Sequence, residues 1–346
     1  MNIYVVESPF QLLSAIEANY HFKNEKNVLI IRYAPEHLGF KNNEQLRSLK
    51  DSIEWTEIIE IETNKSYFHA NIKLLKVLKN LQTSLDTVNK VFIGEYRSWY
   101  MRQFFNVLNP EQCFLLDDGG QTIAVQKKYL PSGKYHSEKS LKSLIKTILN
   151  YSYLLFLIKK ISKKRVDIHL FTCFDLIPHN EKQHIVKHSF DYVKKRNTSK
   201  MILEKTVYFF GSSMSEINLI KEDDLIQELQ KIKLFFEERK IEMIYIPHRR
   251  ESKTKLHKLS NELNMKLKYF EYPAEIEFTL MEETPEYLAS FYSTALHTVS
   301  SMIDFKEVIA FELPYEKISP KYREGTREIY ENYKKTMKVI NLNDTH

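Results

Sequence analysis

Leu115-Leu116-Asp117-Asp118-Gly119-Gly120 is an apolar run that ends in two adjacent carboxylates and two glycines, and its reading decides the fold. It has the form of a buried strand whose tip presents an acid, with glycine permitting a sharp exit and the close approach of a ligand. Upstream of it, strand-like and helix-like segments alternate. Ile3 to Val6 is followed by a helix from about Gln11 to Tyr20, strand Val28 to Arg32, and a helix around Asn43 to Lys50. A strand near Thr56 to Ile61, a helix from about Phe68 to Leu81, strand Lys90 to Ile93 and a helix near Ser98 to Leu108 then lead into Cys113 to Leu116. This alternation predicts an α/β domain with a parallel sheet covered by helices on both faces. Ligands of such sheets bind beyond the carboxyl ends of the strands, which is where Ser8-Pro9-Phe10-Gln11, Gly94-Glu95 and Asp117-Asp118 would converge.

A second unit of the same kind begins with strand Thr206 to Phe210 and the loop Gly211-Ser212-Ser213, then helix Lys221 to Lys240 and strand Glu242 to Ile246. That last strand runs into Pro247-His248-Arg249-Arg250-Glu251, so it delivers a histidine and two arginines. A strand near Leu267 to Glu271, a short helix from about Pro285, Ser293-Thr294 at a helix start and a strand Val308 to Phe311 complete the pattern. The expected architecture is two Rossmann-like domains facing across a cleft: an acceptor-side domain over 1–136, a basic helical linker over 137–205, and a nucleotide-binding domain over 206–346. No internal repeat and no low-complexity tract interrupts it.

Composition sets the outer bounds. A chain of 346 residues accommodates two cores, and 43% hydrophobic with 28% charged residues is a globular balance. The two cysteines, Cys113 and Cys173, each sit inside an apolar run without metal-ligand spacing, so they read as buried thiols in a reducing compartment. The N-terminus has neither a basic n-region nor an apolar h-region, and a cytoplasmic protein without a secretion signal is expected. The net charge of +6 is modest, but Lys139 to Arg165 carries eight cations and no acid around the apolar run Tyr151 to Ile158. That run is too short to span a bilayer. It suits either a cationic helix packed through its apolar face or a peripheral contact with anionic lipid at the inner membrane. The same amphipathic segment makes a homodimer plausible.

Chemistry is read from what is present and from what is missing. With seven glycines there is neither a G-x-G-x-x-G nor a P-loop, no Asp-x-Asp occurs, and there is no G-x-S-x-G elbow. Dinucleotide redox chemistry, nucleotide hydrolysis and metal-dependent sugar transfer are therefore poorly supported. No cofactor and no metal is expected. A carboxylate in one half and a histidine with arginines in the other suit deprotonation of an alcohol while a phosphate departs, which is the chemistry of sugar transfer from a nucleotide. Asp117 and Asp118 face opposite ways in an extended segment, so one can point into a cleft while the other holds the turn. Each motif also has a plain structural reading: Asp-Asp-Gly as a capped turn, the histidine-arginine run as a solvated basic loop, and Ser293-Thr294 as an N-cap.

In motif order the chain resembles bacterial sialyltransferases of the GT-B type, particularly glycosyltransferase family 52 and its capsule and lipooligosaccharide relatives. Asp117-Asp118-Gly119 matches the acidic pair followed by glycine. His248 matches the histidine usually followed by proline, although here Pro247 precedes it and Arg249 follows. Ser293-Thr294 is similar to the pair that binds the donor phosphate, and Glu7-Ser8-Pro9-Phe10-Gln11-Leu12 to the first strand-to-helix loop. The resemblance implies CMP-sialic acid as donor, a surface glycan as acceptor and an inverting, metal-independent displacement. By position it implies Asp117 as first choice for the base with Asp118 beside it, and His248 assisting departure of CMP. Arg249, Ser293, Thr294, Gly211 and Ser212 would lie on the donor side, and Ser8, Pro9, Gln11 and Gly119 on the acceptor side. Glucosyl transfer from another nucleotide sugar is the nearest alternative. A non-catalytic protein binding membrane or nucleic acid through Lys194-Lys195-Arg196 and the Lys159 to Arg165 cluster is the further one, and it leaves the acid-tipped strand unexplained.

Overall fold

The computed structural model describes residues 1–23, 26–63, 67–85, 87–133, 152–156, 158, 167–197 and 200–342. The chain forms two compact units, Met1–Tyr192 and Val193–His346, each built on one parallel sheet.

In the first unit seven strands, β1 (Asn2–Val6), β2 (Asn27–Arg32), β3 (Glu57–Ile61), β4 (Lys90–Ile93), β5 (Gln112–Leu115), β6 (Ile168–Thr172) and β7 (Ile185–Lys187), lie in the order β3-β2-β1-β4-β5-β6-β7. Helices Pro9–Phe22, Glu36–Lys50, Tyr67–Ser84 and Trp99–Leu108 connect the first five. After a polar first residue the central strands β1, β4 and β5 are apolar, because both faces of a parallel sheet are covered, and β1 is buried at every position. Register is fixed by an aromatic ladder. Tyr4, Phe92 and Phe114 are direct partners across β1, β4 and β5 and stack at ring separations of 4.5 and 5.1 Å. Each such pair adds about 0.5–1.5 kcal/mol beyond its burial. The ladder also aligns the carboxyl ends of these three strands, from which Glu7, Glu95 and Asp117-Asp118 project.

Two of these strands depart from expectation. β6 and β7 fall within 137–205, read above as a helical linker, yet they extend the first sheet. Leu170 and Phe171 are fully buried and pair onto β5 and β7, so burial, not linker composition, decides their place. The basic segment Lys139 to Arg165 lies outside the described residues except for 152–156 and 158. There Leu154 and Ile158 are buried and Phe156 is 81% exposed.

In the second unit β8 (Met201–Phe210), β9 (Glu242–Ile246), β10 (Lys266–Leu267), β11 (Glu283–Ser290), β12 (Glu307–Phe311) and β13 (Lys338–Ile340) lie in the order β10-β9-β8-β11-β12-β13. Both sheets thus wind outward from their first strand in one direction and then restart on its other side. That arrangement leaves a switch point between β1 and β4 in one and between β8 and β11 in the other. The helix expected from Pro285 is instead β11. Its Leu288, Ala289 and Ser290 are fully buried between β8 and β12, and the missing N–H of Pro285 is accommodated beside a register shift between Pro285 and Tyr287. Strand Leu267 to Glu271 shrinks to Lys266–Leu267, and helix Ala274–Leu280 follows it. Helix Pro320–Tyr333 and β13 continue the fold beyond Pro314, where the sequence pattern stopped.

Candidate functional site

At the switch point of the first sheet, Ser8 caps helix Pro9–Phe22. Its backbone is extended, its Oγ accepts the Gln11 N–H at 3.3 Å, and Pro9 occupies the first turn, where a missing N–H costs nothing. The same hydroxyl donates to Asp118 Oδ1 at 3.1 Å. Gln11 Oε1 accepts the Glu7 N–H at 2.9 Å, and the Gln11 side chain also bonds Asp118. A Cβ on Gly94 would stand 2.1 Å from Gln11 Oε1, so glycine at the end of β4 is what lets Gln11 lie there. Around this core Glu7 pairs with Arg32 and accepts from the Tyr100 hydroxyl. Glu95 takes a two-pronged contact from Arg97, Nε at 3.0 Å and an Nη at 2.5 Å.

The two aspartates separate cleanly. Asp117 is fully buried, and its carboxylate faces the interior. Oδ1 accepts from the Thr172 hydroxyl at 2.6 Å, Oδ2 accepts the Cys173 N–H at 2.7 Å, and His188 Nε2 lies 3.3 Å from Oδ2. Asp117, the first choice for the base, thus has its lone pairs engaged in tying the β5 tip to the end of β6. Asp118 points the other way, is partly exposed, and has its carboxyl pushed up to about 6. Burial is the main cause, the Glu95 and Glu7 carboxylates add to it, and the hydrogen bonds from Gln11 and Ser8 oppose it. A carboxylate so raised is poised to take a proton near neutral pH. Gly119 next to it has φ of +60° and ψ of −142°, a conformation reserved for glycine. Pro9 and Gln11, read as acceptor contacts, are buried and serve to hold the loop, whereas Ser8 touches Asp118 directly.

At the carboxyl edge of the second sheet, His248 follows β9. Its Nδ1 accepts the Arg250 N–H at 3.2 Å, which leaves Nε2 to carry the proton of the neutral ring. Burial, then the Arg249 and Arg250 cations, hold its pKa below the usual histidine value of 6.5, so the ring is neutral at pH 7. Arg249 and Arg250 are exposed. The loop rests on a buried carboxylate: Glu251 Oε2 accepts the His248 N–H at 2.6 Å, while Oε1 accepts from the Tyr245 hydroxyl at 2.7 Å and lies 2.9 Å from Lys255 Nζ. Gly211 packs against this group, since a Cβ there would stand 2.4 Å from Tyr245 Oη and 2.5 Å from Glu251 Oε2. Ser212 presents its carbonyl to Lys255 at 3.4 Å. Ser293 caps helix Thr294–Met302 through Ala295 N at 3.2 Å, and the Tyr333 hydroxyl clamps its backbone on both sides. Thr294 is exposed at the first turn. His248, Gly211, Ser212, Ser293 and Thr294 thus all follow carboxyl ends of β8, β9 and β11.

Sequence reasoning placed Glu95 at the strand ends but passed over Thr172, His188, Tyr245 and Lys255. The spacing of Glu251 and Lys255 would have marked a surface i,i+4 pair, yet both side chains are fully buried. Among the described residues no cluster of three or more His, Cys, Asp or Glu suits a metal ion, and no helix is long and apolar enough to cross a membrane. Cys113 and Cys173 are both buried and are not joined to each other.

The sequence family described as Alpha-2,8-polysialyltransferase (POLYST) matches residues 2–312. The chain belongs to this family. The polysialyltransferase-family chain is accordingly a glycosyltransferase, and specifically a sialyltransferase, on an α/β fold of the GT-B type. No curated protein matches it by sequence. Among solved structures, the UDP-GlcNAc 2-epimerase from Methanocaldococcus jannaschii superposes with a TM-score of 0.52 at 11% identity, over 99% of this chain and 89% of that one. That likeness concerns the fold. The GT-B domain of a sialyltransferase from Photobacterium damselae matches at 0.43 and 9% identity over 99% and 100% of the two chains. A family 9 glycosyl transferase from Veillonella parvula matches at 0.40 and 10% over 99% and 91%.

Proposed function

We propose that this polysialyltransferase-family chain moves sialic acid from CMP-sialic acid to a hydroxyl of a sialic acid already on a bacterial surface glycan, with inversion and without a catalytic metal. The observation that carries the reading is the geometry of Asp118, a partly exposed carboxyl raised to about 6 at the switch point of the first sheet. In the reaction the acceptor oxygen attacks the anomeric carbon and Asp118 takes its proton. The bond from that carbon to the CMP phosphate oxygen breaks, and the electron pair leaves with the phosphate. His248, neutral with its proton on Nε2, donates to the departing oxygen, and Arg249 offsets charge on the phosphate or on the sugar carboxylate. Ser293 and Thr294 supply hydroxyl and backbone donors to the same phosphate. A single displacement of this kind inverts the anomeric centre, and a linkage to O8 of the acceptor sugar is what the family description suggests.

Calorimetric titration with CMP, CMP-sialic acid and UDP-glucose, on the native chain and on His248→Ala, tests the donor. Cytidine-selective binding weakened by the substitution is expected. A preference for the uridine nucleotide would reassign the donor sugar, and absence of binding to any nucleotide would refute the donor-site assignment.

A further inference from the structure

Lys255 is the least expected side chain in the second unit. It is fully buried, yet it arises from helix Lys253–Asn261 four residues after Glu251, in a stretch that reads as solvated. Its ammonium makes four polar contacts: Glu251 Oε1 at 2.9 Å, Glu216 Oε2 at 3.0 Å, Ser215 Oγ at 3.1 Å and the Ser212 carbonyl at 3.4 Å. These partners belong to two different strand exits. Ser212, Ser215 and Glu216 lie on the loop after β8. Glu251 lies on the turn after β9, and its other oxygen accepts the His248 N–H at 2.6 Å. Glu216 closes the circuit, because its Oε1 accepts the Ser252 N–H at 2.8 Å. Gly211 admits the β8 exit to van der Waals range of the same carboxylate, where a Cβ would stand 2.5 Å from Glu251 Oε2.

A charge with no access to water is retained only where its attraction to well-placed partners offsets desolvation, and removal of one member leaves the others exposed to that cost. Here the network does more than neutralise itself. From one ammonium it fixes the backbone amide of His248 and the backbone carbonyl of Ser212, which are the two loops that flank the candidate donor phosphate. We infer that Lys255 and Glu251 are positioning residues that lock the β8 and β9 exit loops together and so hold the turn in which the Arg250 N–H, 3.2 Å from Nδ1, keeps His248 in its Nε2–H tautomer. The functional half of this statement rests on the donor-site reading above, and the tautomer half does not.

The test separates the two halves. Histidine 15N correlation spectra of the full chain, with His248 assigned from His248→Gln, report its tautomer, and titration with CMP reports the site. In the native chain the Nε2–H form is expected to dominate at pH 7.5. Lys255→Met should give a mixture of the two neutral tautomers and weaken CMP binding by tenfold or more, with native circular dichroism. Lys255→Arg, which keeps the charge, should recover part of both. Glu251→Gln keeps the volume of the side chain and serves if Lys255→Met does not fold; it is expected to behave in the same way. A folded variant of either kind with the native tautomer, or with native CMP affinity, overturns the inference. If the native chain itself binds no CMP, the donor-site reading fails, and the tautomer alone decides whether the lock exists.

Discussion

Replacing Asp118 by asparagine should make the protein inactive and more stable at once. The folded carboxyl titrates at about 6 against 3.8 for the free group. Between those values the folded chain holds a proton that the unfolded chain has released, so stability falls as pH rises through that window, and the loss is complete above about pH 6. A shift of about two units is worth roughly 3 kcal/mol at 1.36 kcal/mol per unit, and partial exposure brings it to about 1–3 kcal/mol. Asparagine retains the acceptor for the Ser8 hydroxyl and carries no charge. Urea denaturation should therefore find Asp118→Asn more stable than the native chain by about 1–3 kcal/mol at pH 7.5 and nearly equal to it below pH 4. Transfer should fall by about 10²–10⁴, the usual contribution of a general base. In the native chain kcat/KM should rise with pH along a limb centred near 6. About a tenth of the group is ionised at pH 5 and about nine tenths at pH 7, whereas a carboxyl at 3.8 would give a flat profile there. Glu95→Gln removes one of the carboxylates that push Asp118 up and frees the Arg97 cation, so this limb should move to lower pH. Native turnover in Asp118→Asn, or an unmoved limb in Glu95→Gln, would refute the assignment.

Asp117→Ala should behave oppositely: it strands the Thr172 hydroxyl and the Cys173 N–H and should cost about 3 kcal/mol or more in chemical denaturation. Gly94→Ala drives a Cβ into Gln11 and should lose about 1–3 kcal/mol, and the double variant with Gln11→Ala should lose less than the sum of the two, because the clash exists only when both side chains are present. Phe156, within the basic segment, is 81% exposed, so Phe156→Ser should reduce sedimentation with anionic vesicles if that segment meets lipid, and unchanged sedimentation would remove the membrane contact.

The alternation of strands and helices was legible because parallel strands buried on both faces are nearly continuous apolar runs, as in Ile3 to Val6 and Thr206 to Phe210. β11 was not legible: its proline and its polar Thr284 and Glu286 mimic a helix start, and only pairing to β8 and β12 selects the strand. β6 and β7 were hidden for a related reason, since strands of five and three residues after a long basic tract carry too little pattern to outweigh it. At the site, the sequence showed that adjacent acids diverge but not which one faces inward. That choice depends on Thr172 and Cys173, which are more than fifty positions away and reach Asp117 only through sheet pairing. Lys255 was missed because charge and i,i+4 spacing describe an exposed pair unless the surrounding loops are known.

The two units solve one physical problem in the same way. A titratable side chain at a strand exit acts reproducibly only if its backbone is fixed, yet the exit has left the sheet and lost its ladder hydrogen bonds. In each unit a buried carboxylate takes up a backbone N–H at a strand exit, that of His248 itself in the second unit and that of Cys173 in the first, where the Asp118 N–H goes to the Thr122 hydroxyl at 2.9 Å. Asp117 accepts the Cys173 N–H at 2.7 Å beyond β6, and Glu251 accepts the His248 N–H at 2.6 Å beyond β9. Each is in turn engaged by a hydroxyl, Thr172 in one case and Tyr245 in the other, and each has a basic side chain close by, His188 and Lys255. The neighbouring titratable groups, Asp118 and His248, are left partly exposed with shifted proton affinities. The carboxylates that hold the loops and the groups proposed to act on substrate are therefore distinct residues. Substitutions should divide accordingly: those at Asp117 and Glu251 change stability or geometry, and those at Asp118 and His248 change the rate in a chain that still folds.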